Sequence, residues 1–219
     1  FEIIEELIFD KDIEHCFHLA SQVEVQKAFL NPIHTFENNI NLTTKLLDTF
    51  RRSKSIRSII LTSTDKVYGD TDFDKLPYNE QLIPNPIYPY EVSKYICEII
   101  SKCYYQNYNL PIVITRTSNI FGPGQLNFSA IIPSLISSSI KNLNFLPRTN
   151  GKLKRDYMYI DDWVNSLMHL SIKKSEEKVD SLIYNFGNNK PKSAIDITKS
   201  VFKVLDNNDK MEQILNSFK

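Results

Sequence analysis

The chain has 219 residues, of which 42% are hydrophobic and 24% charged, which is ordinary for a globular protein with a sizeable core. Basic and acidic side chains number 26 each, so no overall field favours nucleic acid or an anionic membrane as a partner. The three cysteines lack metal-ligand spacing and no apolar run is long enough for a bilayer span, which predicts a cytoplasmic protein with reduced thiols and no metal site.

Helical and strand-like patterns alternate along the first half of the chain. Apolar residues at helical spacing predict helices, and short continuous apolar runs predict buried strands. In chain order these patterns predict a helix over 1–9, a strand over 13–20, a helix over 32–52, a strand over 56–63, a polar loop over 69–89 and a helix over 90–108.

The second half continues the alternation, with Asp161 or Asp162 placed to cap a helix. Because buried strands alternate with helices, the sequence predicts an α/β fold whose largely parallel sheet is covered on both faces. The patterns predict a strand over 111–118, a loop over 119–128, a helix over 130–140, a strand running into a helix over 155–163, a strand over 181–187 and a helix over 193–205.

The residues that follow three of the predicted strands are small or carry hydroxyl groups. These stretches read "HLAS", "LTSTDKVYG" and "TRTSNIFGPG". In open α/β sheets ligands bind beyond the carboxyl ends of the strands. Small and hydroxyl side chains there suit a flat ligand and phosphate oxygens.

A tyrosine and a lysine, Tyr90 and Lys94, share one face of the predicted helix at spacing i and i+4. An ammonium group near a phenol is expected to stabilise the phenolate and lower its pKa, so that the tyrosine can take a proton from a sugar hydroxyl. With 11 tyrosines in a lysine-rich chain, such a spacing is also expected about once by chance.

The stretches around this pair favour a functional role for it. Together they resemble the extended short-chain dehydrogenase/reductase family and its nucleotide-sugar epimerases and dehydratases. The resemblance implies a partial Rossmann domain for NAD over residues 1–125. It implies a mixed segment over 126–219 that contributes a smaller substrate-binding lobe and a strand and helix returning to the Rossmann core. The matching stretches, in the family's order, are "HLAS", "NNINLT", "TSTDKVYGD", "YPYEVSK", "RTSNIFGPG", "RDYMYIDD" and "YNFG".

The resemblance also implies a role for each matching residue. Tyr90 is the expected base, Lys94 holds the nicotinamide ribose, and Thr64 shares a hydrogen bond with Tyr90 and the sugar. For Arg155 the alternative is a surface ion pair with a neighbouring aspartate. The remaining implied contacts are Leu19, Ala20 and Asn38 to NAD, and Asn119 and Arg155 to the diphosphate of a nucleotide-sugar substrate.

Asp65 and Lys66, which follow the hydroxyl of Thr64, bear on the reaction. Epimerases of this family usually carry inert residues there, whereas 4,6-dehydratases carry an acid, and the Asp-Lys sequence looks most like the CDP-glucose 4,6-dehydratases. Asp65 is then the candidate acid at the C6 hydroxyl and Lys66 the candidate base at C5. A solvated Asp-Lys pair and an epimerase are the alternatives.

The family's glycine fingerprint, G-x-x-G-x-x-G after the first strand, does not occur in the chain, whose five glycines begin at Gly69. We therefore expect an internal fragment of a longer enzyme that lacks the N-terminal βαβ unit and is inactive alone. A degenerate relative with a binding or structural role is the rival class. The resemblance further implies a homodimer built on the helices over 32–52 and 90–108.

Overall fold

A computed structural model describes residues 1–69 and 76–218 of the chain. None of the helices in these two ranges is both long and apolar enough to cross a bilayer. The helices are α1 (Glu2–Asp10), α2 (Val25–Leu30), α3 (Pro32–Phe36), α4 (Leu42–Arg52), α5 (Pro89–Tyr108), α6 (Ile131–Ile140), α7 (Ile160–Ser175), α8 (Ala194–Leu205) and α9 (Asn208–Ser217). The strands are β1 (His15–His18), β2 (Ser58–Thr64), β3 (Ile112–Thr117), β4 (Asn119–Phe121), β5 (Lys154–Arg155), β6 (Tyr157–Tyr159), β7 (Ile183–Phe186) and β8 (Lys192–Ser193).

Four parallel strands form the main sheet in the order β1-β2-β3-β7. Parallel neighbours require crossover connections, and α3, α4 and α5 supply them between β1, β2 and β3. Thr64 pairs with Thr117 in register, so the ends of β2 and β3 lie at the same edge. The predicted α/β fold with a parallel, Rossmann-like sheet is confirmed.

The main core lies between this sheet and the helices on one of its faces. Ile59 and Leu61 of β2 point into it because alternate strand residues share a face, and Leu47 and Phe50 of α4 pack there with them. Ile60, on the opposite face of β2, is also fully buried. Burial on both faces explains why the strands read as continuous apolar runs rather than alternating ones.

The chain divides into two compact units, which are described separately. Unit 1 comprises Phe1–Thr117 and Val164–Phe186, and it contains the main sheet. Unit 2 comprises Ser118–Trp163 and Gly187–Lys219, and it has its own core around Leu135, Phe202 and Ile214. Two small sheets, β4 with β6 and β5 with β8, belong to unit 2. The predicted domain boundary after residue 125 stays a prediction.

Three features differ from the expected elements. The predicted loop after β3 contains β4, which pairs in parallel with β6. Helix α7 begins at Ile160, so Asp161 and Asp162 lie in its first turn, near the positive end of the helix dipole, and not at the cap. Helices α2 and α9 were not predicted, since α2 has only six residues and too few turns to show a period.

Candidate active site

Thr64 ends β2, and the chain turns there into a 3₁₀ segment, Asp65–Tyr68. The Thr64 hydroxyl caps this turn by accepting a hydrogen bond from the Lys66 amide at 3.3 Å, and it donates to Asp65 Oδ1 at 3.2 Å. Gly69 ends the turn at φ +69°, and a Cβ there would lie 2.1 Å from the Asn85 carbonyl oxygen. Only glycine fits this position, so the backbone holds the turn and its acidic residue in place.

Tyr90 and Lys94 lie on the first turns of α5, whose start is set by Pro89 and by a capping box of Tyr88 and Glu91. The side chains of Tyr90 and Lys94 lie one turn apart, with 8% and 6% of their surface exposed. Burial at the end of a helix next to the strand edge gives both groups fixed orientations.

Thr64 and Asp65 lie close enough to Tyr90 to shift the pKa of its phenol. Burial and, to a smaller extent, the Asp65 carboxylate raise the pKa of Tyr90 to about 12, although a hydrogen bond with Thr64 acts to lower it. The expected lowering of the Tyr90 pKa is therefore wrong for this chain, because the loss of water around the phenolate and the nearby Asp65 carboxylate both raise that pKa.

Lys94 is a buried cation. Burial lowers its pKa, while its electrostatic interactions with Cys97 and Glu98 raise it. The pKa of Lys94 therefore depends in part on Glu98, which lies one helical turn further along the same face of α5.

Asp65 and Lys66 form a loose pair at the surface of the cluster. Lys66 Nζ lies 3.8 Å from Asp65 Oδ1, and the two side chains are 37% and 20% exposed. The acid therefore reaches inward to Thr64 and Tyr90, whereas the lysine reaches solvent. The predicted acid and the predicted tyrosine base are brought together, and the roles given to them stay predictions.

The residues expected to line the cofactor are only partly placed at the cluster. Leu19 and Ala20 follow β1 directly and are exposed at the strand end, where a ligand could reach their backbone. Asn38 is exposed on the π-helical segment, Glu37–Asn41, and does not face the site. The neighbouring Asn39 is 2% exposed and faces inward instead.

Asn39 was missed by sequence reasoning and links two parts of the site. Its amide accepts from the backbone of Gln22 at 2.7 Å and donates to Ser93 Oγ at 2.9 Å, joining the loop after β1 to α5. The sequence contains a pattern that could have identified Asn39. Thr35, Asn39 and Thr43 are polar residues spaced four apart, and all three are buried. Such a polar stripe on a helix indicates a face turned toward polar partners.

His18, at the end of β1, was also missed. Thr43 donates its only hydroxyl hydrogen to the Asn39 carbonyl, so it accepts from Nε2 of His18 at 2.9 Å. Burial and, to a smaller extent, the charge of Lys94 lower the pKa of His18 to about 4. The imidazole is therefore neutral at physiological pH and carries its proton on Nε2.

This neutral histidine makes stability depend on pH. Because the His18 pKa is 6.5 when unfolded and about 4 when folded, the unfolded state binds the proton first as the pH falls. The stabilisation is complete above pH 6.5 and is lost toward pH 4, by on the order of 3 kcal/mol. Urea unfolding of the full-length protein between pH 7 and pH 4 measures this loss.

His18→Gln removes the titrating group and is expected to flatten that pH dependence. His34→Gln is the matched control, because His34 is exposed on α3 and its replacement should leave the slope unchanged. An equally steep fall of stability in the His18 variant would assign the pH dependence to other groups.

The two predicted diphosphate contacts belong to unit 2. Asn119 begins β4, and its amide donates to the Asp156 carbonyl at 3.3 Å. Arg155 is exposed in β5. The Asp156 carboxylate accepts from the backbone amides of Tyr157 and Asn189 at 3.0 and 2.9 Å, so it is engaged by the chain itself. The diphosphate roles of Asn119 and Arg155 stay predictions.

A family model described as "NAD dependent epimerase/dehydratase family" matches residues 2–187, and this match contains both the Thr64 turn and the Tyr90–Lys94 helix. The chain belongs to this family. The predicted resemblance is thereby confirmed at the level of the family.

Members of the epimerase/dehydratase family with known names resemble the chain over almost its whole length. The dTDP-D-glucose 4,6-dehydratase of Dictyostelium discoideum is 34% identical over 212 residues, which cover 93% of this chain and 48% of that protein. A UDP-glucose 4-epimerase structure from Thermotoga maritima, with UDP-glucose, has a TM-score of 0.83 at 25% identity and is covered to 65% by 94% of this chain.

A third relative in the family was solved with its cofactor. The UDP-glucuronic acid 4-epimerase of Bacillus cereus, in complex with UDP-glucuronic acid and NAD, has a TM-score of 0.81 at 26% identity. The match covers 93% of this chain and 62% of that one. The chain thus spans about half of the dehydratase and less than two thirds of either solved epimerase.

Proposed function

We propose that the protein is an NAD-dependent nucleotide-sugar 4,6-dehydratase, a lyase. The observation that carries the proposal is Asp65, an acid held by Thr64 at the end of β2 and close enough to Tyr90 to raise its pKa. A reaction that only inverts a sugar hydroxyl needs one proton carrier. Elimination of water needs a second, and Asp65 supplies it.

The residues at the strand ends fit the nicotinamide ribose of NAD. Lys94 is a buried ammonium whose donors suit ribose hydroxyls, and Leu19 and Ala20 are exposed where β1 ends. Held by these residues, NAD would supply the hydride chemistry that the reaction requires at C4 and C6 of the sugar.

The proton steps then follow from the arrangement of the chain's own residues. Tyr90 takes the C4 hydroxyl proton. The Thr64 hydroxyl orients the Tyr90 phenol through the hydrogen bond between the two side chains. Asp65 donates a proton to the departing C6 hydroxyl, and Lys66, 3.8 Å from Asp65, takes the C5 proton. With its pKa raised to about 12, Tyr90 needs the charge of Lys94 to stabilise the phenolate as the proton moves.

A nucleotide-sugar epimerase is the second candidate. Two solved relatives are named as 4-epimerases, and Lys66 is 37% exposed, as a solvated ion-pair partner would be. In an epimerase Tyr90 and Thr64 would act alone, and Asp65 would take no part in proton transfer. A non-catalytic relative is the third.

We also keep two wider proposals for the whole protein, a homodimer and a cytoplasmic location. Helix α5 exposes Ile99, at 52%, on a different side from the buried Cys97 and Glu98. A helix with apolar residues on two sides fits a partner's helix on the outer one. Sedimentation at micromolar concentration would detect the dimer.

Product analysis tests the proposed reaction. The full-length protein would be incubated with NAD and with CDP-, dTDP-, GDP- or UDP-glucose, and the products followed by NMR. We expect a 4-keto-6-deoxy sugar from one nucleotide. A 4-epimer would instead assign the protein to the epimerases, and no conversion of any sugar would contradict catalysis.

A further inference from the structure

A buried ion pair ties α5 to the sheet directly behind the candidate site. Arg116 of β3 donates to Glu98 of α5 through Nε at 3.1 Å and through Nη2 at 2.7 Å, and each side chain is 3% exposed. Tyr90, Lys94 and Glu98 follow one another at four-residue intervals, so they lie on one face of the helix. The ion pair therefore holds the same face that carries the candidate catalytic residues.

The pair also contacts the segment on the other side of the site. Ser63, the residue before Thr64, donates its hydroxyl to Glu98 Oε1. The Arg116 guanidinium lies 4.8 Å from the ring centre of Tyr68, the last residue of the turn that carries Asp65 and Lys66. Glu98 and Arg116 thus contact both ends of the Ser63–Tyr68 segment, and Glu98 belongs to α5.

Stability alone does not account for such a pair. Removing two charges from water costs free energy that their attraction often fails to recover, and apolar pairs of similar size frequently stabilise a core as well or better. The geometry of a bidentate pair, in contrast, fixes the distance and angle between the two elements. Catalytic groups need that precision, since a misplacement of about 1 Å can cost roughly a hundredfold in rate.

We propose that Glu98 and Arg116 are positioning residues that set the placement of Tyr90 and Lys94 relative to Thr64 and Asp65. The proposal rests on the proposed function, because the reaction defines which placement matters. Both side chains are buried, so neither is placed to contact a sugar. They act through Lys94 on the same helix and through the turn after β2.

The charge of Glu98 has a second effect, on Lys94. The ionisable groups that affect Lys94 are Cys97 and Glu98 on its own helix and His18 on β1. Of these three groups, Glu98 is the one that forms a salt bridge, with its carboxylate bound by the Arg116 guanidinium at 2.7 Å. Removing its charge should therefore make Lys94 lose its proton at a lower pH.

Glu98→Gln in the full-length protein tests both effects, because it removes the charge and keeps the shape. We expect kcat to fall about tenfold to a hundredfold with little change in KM, and the alkaline limb of kcat to move to lower pH. NMR of ¹³C-labelled lysine, assigned with Lys94→Arg, should show the same shift of the Lys94 titration. The NMR titration can be measured even if the protein has no catalytic activity.

Glu14→Gln is the matched control. Glu14 pairs with Arg57 at 3.4 Å, but both side chains are more than half exposed, so this variant should match the wild type in every readout. If Glu98→Gln does not fold, Glu98→Asp keeps the charge but shortens the reach, and we then expect a normal Lys94 titration with a lowered kcat.

The double variant Glu98→Met/Arg116→Met separates positioning from stability. It should fold about as stably as the wild type yet keep the low kcat. A wild-type kcat in this variant, or an unchanged Lys94 titration in Glu98→Gln, would overturn the proposal. An inactive wild-type protein whose Lys94 titration still depends on Glu98 would contradict the proposed function while leaving the link from Glu98 to Lys94 intact.

Discussion

Tyr90→Phe is expected to lower kcat of the full-length enzyme by about a hundredfold or more, since it removes the group that takes the C4 hydroxyl proton. The ring is 8% exposed and remains in place, so the packing at the start of α5 should survive. The lost hydrogen bond to Thr64 should cost only about 1 kcal/mol of stability.

Kinetics and stability must therefore be measured on the same sample. Turnover is followed by product formation, the fold by circular dichroism and thermal unfolding, and NAD binding by calorimetry. Tyr95→Phe makes the same chemical change in the same helix, at a residue outside the cluster, and should leave turnover as it was. Wild-type turnover in the Tyr90 variant would make Tyr90 a core residue and remove the proposed base.

The fold and the main pair of this site were predictable because both depend on periodicity. Continuous apolar runs identify buried parallel strands, and the i, i+4 spacing of Tyr90 and Lys94 puts them on one face wherever the helix lies. A motif alone does not tell which of two neighbouring residues faces inward. The predicted Asn38 is exposed and its neighbour Asn39 is buried, a difference that a motif cannot give because it carries no helical phase.

The electrostatics of the site were not predictable from the sequence. Whether a tyrosine beside a lysine has a raised or lowered pKa depends on how much water each group loses, and burial depends on the whole fold. Tyr90 shows this, since its pKa is raised despite the nearby Lys94. The roles of Glu98 and Arg116 are similar, since they lie 18 residues apart and meet only in the folded chain.

Asp65→Asn separates a dehydratase from an epimerase. The amide keeps the shape of the acid and can still accept from the Thr64 hydroxyl, but it has no proton to give to the C6 hydroxyl. In a dehydratase, oxidation at C4 should proceed while elimination slows by about a hundredfold or more. Bound NADH should then accumulate in a single turnover, which absorbance measures directly.

The same substitution has a second consequence, which makes the test sharper. Because Tyr90 and Lys94 are unchanged in this variant, the oxidation step at C4 should keep its rate. Oxidation is thus expected to persist while water loss stalls. Asp10→Asn, an exposed residue at the end of α1, is the control for loss of a carboxylate elsewhere. Unchanged turnover of the Asp65 variant together with a 4-epimer product would contradict the dehydratase proposal, because an epimerase expels no water and requires no second acid.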